Sequence, residues 1–126
     1  MIQTFTIPGT LPDLNTYINA ERANKYAAAK MKKDAEKKIV LCIKQAKIKP
    51  VTNYPVTLVY FWCCPDKRVD KDNRMFGQKF VLDSLVRAGI LRNDGWDELN
   101  DPIHVFGVDK NNPRIVVKID ERNLNA

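Results

Sequence analysis

The sequence lacks several features that would place the protein in well-known classes. Its longest apolar run, residues 58–64, has seven residues, whereas a membrane-spanning helix needs about 20. No basic-then-apolar signal peptide follows Met1. The three cysteines Cys42, Cys63 and Cys64 contain no C-x-x-C pair, so we expect reduced thiols rather than a disulfide framework or a zinc site. These absences predict a soluble protein that stays in the cytoplasm, without a membrane partner.

Histidine is nearly absent, since His104 is the only one in 126 residues. A Ser-His-Asp triad therefore has no support. Neither GxxxxGK[ST] nor GxGxxG occurs, which leaves nucleotide hydrolysis and dinucleotide cofactors without support as well. With 44% apolar and 29% charged residues, the composition is that of an ordinary globular protein. We predict a single domain over residues 1–126.

Charge is distributed unevenly along the chain. The net charge is +6; residues 1–50 hold ten basic and four acidic residues, and residues 51–126 hold eleven of each. A basic segment of this kind is typical of a polyanion-binding protein, most often one that binds nucleic acid, although a solvated lysine-rich helix face has the same signature. The acidic residues cluster around 66–72 and 94–101. A pure binder of the DNA backbone would avoid such clusters, whereas a metal-dependent nuclease needs them.

The spacing of apolar residues along the chain predicts the secondary-structure elements. Alternation indicates a strand at 2–7, and apolar residues at three- and four-residue spacing indicate a helix at about 19–47. The β-branched and aromatic segment 56–64 predicts a central strand buried on both faces. A second helix is expected from about 72 to 87, ended by Ala88-Gly89, and strands at 104–108 and 114–119 are expected to form a hairpin. The order β-α-β-α-β-β predicts an α+β domain with two main helices packed on a mixed sheet.

The first helix is expected to carry a row of lysines. Lys30, Lys33 and Lys37 lie roughly opposite the apolar stripe, so their ammonium groups should face solvent. This row is a candidate surface for the DNA backbone.

The segment Asp70-Lys71-Asp72-Asn73 is the most informative for chemistry. In an extended chain Asp70 and Asp72 point the same way, with Cα atoms about 6.5–7 Å apart. Paired carboxylates suit Mg²⁺, or Mn²⁺. Asp94 is the candidate third ligand if its turn returns to the end of the central strand. Such a trio would position metal-bound water for attack on a phosphodiester. Solvated carboxylates or a helix cap are the alternative for this short motif.

The order of motifs resembles that of the RusA family of Holliday-junction resolvases. Those proteins are small, Mg²⁺-dependent, homodimeric endonucleases from bacteria and phages. The resemblance covers residues 66–95 well and extends more weakly to Pro12-x-x-Asn15 and the basic helix. The matching motifs are D-x-D-N at 70–73, K-x-x-x-D-x-L at 79–85, Ala88-Gly89 and the turn Asn93-Asp94.

The resemblance implies roles for single residues. Asp70, Asp72 and Asp94 correspond to the catalytic carboxylates, and Lys79 corresponds to the lysine near the scissile phosphate. Asn73 corresponds to the motif asparagine and Asp83 to the aspartate one turn after the lysine. For Asp83, however, surface ion pairs with Lys79 and Arg87 are the expected arrangement.

The sequence departs from the commonest family pattern in three places. Five residues separate Asn73 from Lys79 where two are usual, an expansion close to one helical turn. Asn93 replaces the first acid of the usual pair, and Val69 replaces an arginine for which Arg68 can substitute. Asp97, Glu98 and Asp101 are expected to be solvated loop acids.

Together these features predict a Mg²⁺-dependent endodeoxyribonuclease that resolves four-way junctions by paired nicks in DNA recombination and repair. A homodimer matches the two-fold symmetry of the junction. We expect it near the nucleoid of a bacterial cell, encoded by the host or by a phage. The alternatives are a non-catalytic nucleic-acid-binding module and a nuclease for other branched DNA. The residues expected to bind DNA are Asn15, Lys30, Lys33, Lys37, Arg68, Lys71, Asn73 and Arg74.

Overall fold

The computed structural model describes residues 1–122. The strands begin and end within one residue of their predicted positions. Each predicted helical region holds two helices, and the first region begins at Leu14 rather than at about residue 19. The α+β class and the mixed sheet are therefore confirmed. In chain order the elements are β1 (Ile2–Pro8), α1 (Leu14–Ala23), α2 (Lys25–Gln45), β2 (Thr57–Cys64), α3 (Lys71–Met75), α4 (Gln78–Arg87), β3 (Ile103–Val108) and β4 (Arg114–Asp120).

The sheet is built around β2, in the strand order β1-β4-β2-β3. Strand β4 runs antiparallel to both β1 and β2, whereas β3 runs parallel to β2. The predicted central position of β2 is confirmed, but its outer face is only half-buried at Phe61 and Cys63. The predicted hairpin of β3 and β4 is wrong, because loop 109–113 crosses the carboxyl end of β2. There the Asp109 N–H donates to the Cys64 carbonyl at 2.8 Å.

One face of the sheet forms the core with the helices. Phe5 and Ile7 of β1 alternate with exposed threonines, and they share a layer with Tyr60 and Trp62 of β2 and with Val117 of β4. All five are at most 3% exposed. The alternation of the sequence therefore decides which face each strand buries. The helices add Ala35, Ile39 and Ile43 from α2 and Phe80, Val81 and Leu85 from α4 to the same cluster.

Asn24 divides the first helical region into two helices. Its backbone is extended (φ −171°, ψ 158°), and its N–H donates to the Ala20 carbonyl, which ends α1. Its side chain accepts from the Ala27 N–H at 2.8 Å and caps α2. The prediction of one continuous helix is therefore wrong, because an asparagine cap supplies both an end and a start. Within residues 1–122, no helix has the length and apolar character to cross a membrane.

Gly77 separates the two helices of the second region. A Cβ at this position would lie 3.2 Å from Leu11 Cβ and 3.3 Å from the Trp62 ring, so a larger residue would require these neighbours to shift by a few tenths of an ångström. The helix predicted from 72 to 87 is consequently interrupted at residues 76–77. Its predicted end is confirmed: Gly89 has φ +76°, the left-handed conformation that commonly ends a helix.

Candidate functional site

An open cleft of about 720 Å³ lies at the carboxyl ends of the parallel strands β2 and β3. Ligands commonly bind at this edge in open sheets of parallel strands, because the loops that follow the strands converge there. The cleft is lined by the end of β2, the loop after it, the start of α3 and the end of β3. Its charged residues are of both signs: Asp66, Asp70, Lys67, Lys71 and Arg74.

Asp70 and Asp72 stand at the start of α3. Asp70 is the N-cap residue (φ −63°, ψ 152°), yet its carboxylate makes no capping hydrogen bond. Both side chains are exposed, and neither has an ion-pair partner among residues 1–122. The expectation of an extended chain is wrong, because the helix begins at Lys71 and the Arg74 N–H donates to the Asp70 carbonyl at 3.0 Å. Residues two apart on a helix do not face each other, and only Asp70 of the pair lines the cleft.

Asp94 lies at the other end of β2. The turn that holds it is fixed to the amino end of that strand, where the Val56 N–H donates to the Glu98 carbonyl at 2.9 Å. The two ends of β2 are about 23 Å apart at the rise of a β-strand. The expected return of Asp94 to the carboxyl end is therefore wrong. Within the described part of the chain, no group of three or more His, Cys, Asp or Glu residues can hold a metal ion.

The same turn buries one of its acids. Glu98 is 8% exposed, and its carboxylate accepts from Arg92 Nε at 3.0 Å. The guanidinium of Arg92 in turn lies 4.2 Å from the ring centroid of Tyr54. The expectation of a solvated Glu98 is wrong, because this ion pair fixes the turn against the body of the protein. Asp97 and Asp101 are exposed, as expected.

Two cations are held at the cleft by packing. Lys71 Nζ lies 5.6 Å from the ring centroid of Phe106, within the range of a cation–π contact. Arg74 lines both the cleft and a cavity of about 10 Å³ beside Trp62, and its Nε is buried without a hydrogen-bond partner. Neither cation is paired with an acid in residues 1–122. Their charges are therefore free to attract an anion. Burial raises the pKa of the neighbouring Cys64 thiol, which disfavours the thiolate.

Arg68 lies on the loop between β2 and α3. Its backbone N–H donates to Asp66 Oδ1 at 2.9 Å, and its Nε lies 3.9 Å from Asp66 Oδ2. The Arg68 side chain is 90% exposed, so this pair contributes little to stability. The guanidinium remains accessible beside the cleft.

The two asparagines singled out by the family resemblance meet in the structure. Asn73 Oδ1 accepts from the backbone N–H of Asn15 at 3.0 Å, across 58 positions of sequence. The bond joins α3 to the first turn of α1, where the Asp13 side chain caps the helix by accepting from the Thr16 N–H. Asn73 therefore has a positioning contact, and its side-chain oxygen is engaged by protein. Sequence reasoning missed this link, because spacing along the chain does not indicate it.

Lys79 follows the break at Gly77 and is exposed in the first turn of α4. It has no ion-pair partner in residues 1–122, since Asp83 instead lies 3.6 Å from Lys32 of α2. The expected ion pairs along the helix are therefore wrong: α2 packs beside α4 and supplies the nearer cation. Lys79 thus keeps a free ammonium group.

The lysine row on α2 is exposed as predicted. Lys30 is partly neutralised, because its Nζ donates to Asp34 at 2.7 Å and this hydrogen bond raises the pKa of Lys30. Lys33 and Lys37 have no ion-pair partner within residues 1–122. These two carry most of the free positive charge of the row.

An aromatic cluster lies behind the cleft. Trp62 Nε1–H donates to His104 Nδ1 at 2.9 Å, and the His104 ring stacks on Tyr60 at 4.9 Å between centroids. Trp62 also stacks on Phe106, which lines the cleft. Burial lowers the pKa of His104, so the ring is held in its neutral form. His104 and Trp62 therefore serve packing, as expected.

In comparisons with known proteins, no family model and no curated protein matches this chain. The contacts of the cleft and the order of motifs in the sequence are what a functional proposal has to explain. Both point to the start of α3, where free carboxylates and free cations lie side by side.

Proposed function

We propose that this protein is a Mg²⁺-dependent endonuclease for branched DNA, with four-way junctions as substrate and paired nicks as product. The carboxylates of Asp70 and Asp72, which have no ion-pair partner within residues 1–122, carry the proposal. A phosphodiester with a divalent cation would suit unpaired acids that lie beside Lys71 and Arg74, because it carries both charges. The order of motifs, which resembles that of the RusA family, supports the same reading.

A divalent cation fits the chemistry of these residues, but the donors of one chain are incomplete. Aspartate oxygens are ligands that Mg²⁺ and Mn²⁺ prefer. Asp70 lines the cleft and offers one carboxylate there, whereas Asp72 faces another direction on α3 and is assigned to the cation only by the motif resemblance. Asp94 of a homodimer partner would offer another, since within its own chain the turn that holds it is fixed at the far end of β2. When bound, the cation lowers the pKa of water and stabilises the charge that develops on the phosphate.

The cations of the chain would hold the DNA backbone. Lys71 and Arg74 line the cleft and would bind the phosphate next to the cut, while the free ammonium group of Lys79 would neutralise charge on it. Asn73 keeps α3 on α1 through Asn15 and so fixes the direction of the carboxylates. Arg68 and the lysine row would contact phosphates of the DNA arms; these contacts do not depend on sequence.

One observation favours a second candidate function. Residues 1–122 contain no group of three acids that could hold a metal, as expected for a non-catalytic module that binds branched nucleic acid. The enzyme and the module share a salt-dependent affinity for DNA, so binding does not distinguish them, but cleavage does. A nuclease for flaps or other branches would share the same cleft and differ in substrate.

The test uses a labelled synthetic four-way junction and a linear duplex of matched sequence, each with Mg²⁺ or with EDTA. Symmetric nicks in the junction alone, abolished by EDTA, are the expected result. Asp72→Asn should lower cleavage by at least about 100-fold, because removing a metal ligand removes the activated water. Glu21→Gln makes the same charge change on the exposed face of α1 and should cut like the parent. Tight binding with no cleavage would support the binding module instead.

A further inference from the structure

Four aromatic rings of β2 and β3 form a row that ends at the cleft. Tyr60 and Trp62 of β2 pair in register with His104 and Phe106 of β3. The planes of contacting rings differ by only 10–26°, and their centroids lie 4.9–6.5 Å apart, as in offset stacks. The hydrogen bond from Trp62 to His104 fixes the middle of the row. The row therefore presents one ring, that of Phe106, in a fixed orientation at the cleft.

The Phe106 ring is half-buried and is only partly covered by protein. Trp62 stacks on it at 6.2 Å between centroids, and the Lys71 ammonium group lies 5.6 Å from its centroid. A lysine end is flexible and strongly hydrated, so it leaves the ring within reach of a ligand in the cleft. Val108 lies two residues further along β3, on the same face, and is 50% exposed. Together Phe106 and Val108 give the cleft an apolar wall on the side of β3.

The charged residues of the cleft are nearly balanced. Lys67, Lys71 and Arg74 are opposed by Asp66 and Asp70, which leaves an excess of one positive charge. Arg74 Nε is buried without a hydrogen-bond partner within residues 1–122, and a phosphate oxygen would satisfy a donor of this kind. An excess of one charge suits a single phosphodiester rather than a run of phosphates. Further affinity for a nucleic acid therefore has to come from the apolar wall.

We propose that the cleft binds an unpaired nucleobase, which stacks on Phe106 as a fifth ring of the row while its phosphate lies at Lys71 and Arg74. Lys71 then moves from the ring to the phosphate. Stacking does not depend on sequence, because every base has a π face. A base within a duplex has to leave its neighbours first, at a cost in free energy, so the site selects nucleotides that a branch leaves unpaired. The inference rests on the proposed function for its ligand, DNA, but not for cleavage.

The test compares the affinity of the full chain for two single strands of equal length and charge, in EDTA so that neither is cut. One strand is oligothymidylate, and the other carries abasic sugars at every position. The parent should bind oligothymidylate at least about fivefold more tightly, which is the low end of the effect of stacking one base on an aromatic ring. Phe106→Leu, which keeps an apolar side chain without a ring, should bind both strands nearly equally. Phe106→Tyr, which keeps the ring, should retain the preference.

Tyr26→Leu is the matched control. Tyr26 is 74% exposed on α2, near the lysine row, and is the rival ring for stacking beside positive charge. This variant should keep the preference for oligothymidylate. A parent that binds the two strands alike, or that binds neither, would overturn the inference. A folded Phe106→Leu variant that keeps the preference, or a Tyr26→Leu variant that loses it, would do the same.

A crosslink tests the parent itself and does not depend on the folding of a variant. The oligomer carries 5-iodouracil in place of thymine and is irradiated in complex with the parent, so that it attaches to an aromatic ring in contact with the base. The adduct is expected at Phe106. Fragmentation of the peptide distinguishes it from an adduct at Trp96, which is 99% exposed on the turn that holds Asp94. Adducts at Trp96 or Tyr26 with none at Phe106 would overturn the inference.

The inference and the proposed function fail in different ways. A chain that prefers oligothymidylate through Phe106 but does not cut junctions would overturn the proposed function alone. A chain that cuts junctions but binds abasic and thymine strands alike would overturn this inference alone.

Discussion

Mixing two inactive variants tests whether Asp94 serves the cleft of a second copy. One preparation carries Asp94→Asn and the other Asp72→Asn, so each homodimer lacks one acid at both of its sites. After exchange of subunits, a mixed dimer combines Asp72 of one chain with Asp94 of the other at one site. Its second site lacks both acids. The separation of about 23 Å along β2 makes this cross-chain pairing the arrangement we expect.

The amount of cleavage activity that the mixture should recover follows from the two-fold symmetry of the dimer. Equal amounts of the two variants give mixed dimers as about half of the total, and one of the two sites in each is complete, so about one quarter of the parental sites return. A dimer with one working site cuts one strand. The product should therefore be a junction nicked in a single strand rather than two separated duplexes.

Junctions labelled on each strand in turn measure this directly, with each variant alone and with the mixture. Two separate preparations of Asp72→Asn, mixed in the same way, control for the handling. If Asp94 served its own chain, neither subunit of the mixed dimer would hold a complete set of acids. A mixture that stays as inactive as its components, although exchange is shown by sedimentation of tagged chains, would refute the reasoning.

Two further predictions concern stability and DNA affinity. Burial lowers the pKa of His104, so the unfolded chain takes up the proton first and stability should fall as the pH drops through the ordinary histidine value of about 6.5. Urea unfolding at about pH 7.5 and pH 5.5 measures this loss, and a loss of equal size in His104→Gln would contradict it. Replacing Lys33 and Lys37 with glutamine should lower the slope of log affinity against log salt by about two, whereas Lys30→Gln should change it less because Lys30 is already paired. Fluorescence titration of a labelled junction at several salt concentrations measures the slope, and an unchanged slope would place the DNA elsewhere.

The strands were predictable because each follows a local rule. Alternation marks β1, and β-branched and aromatic residues mark β2. The pairing of β3 was not predictable from its short loop, because loop length does not show which strand becomes the neighbour. The two helix breaks were hidden for different reasons. The cap at Asn24 is a local signal masked by a continuous apolar stripe, whereas Gly77 packs closely against Trp62, which is distant in sequence.

The candidate site likewise combines residues that local sequence rules could place with residues that depend on contacts distant in sequence. The motif containing Asp70 and Asp72 is local, and its position after the central strand was sufficient to place it at the edge of the sheet. The position of Asp94 depends on the direction of β3. A strand parallel to β2 starts at the amino end of β2, so the turn before it lies there too. The burial of Glu98 depends on Arg92 and Tyr54, which no spacing rule connects.

The break at Gly77 separates α3, next to the acids Asp70 and Asp72, from α4, which packs into the core. Helix α3 buries none of its residues, whereas α4 buries Phe80, Val81, Ser84 and Leu85. The buried side chains of this region therefore lie on α4, while α3 is held by the hydrogen bond from Asn15 to Asn73. The acids therefore lie beside a helix that buries no residue, and the neighbouring helix α4 is anchored in the core.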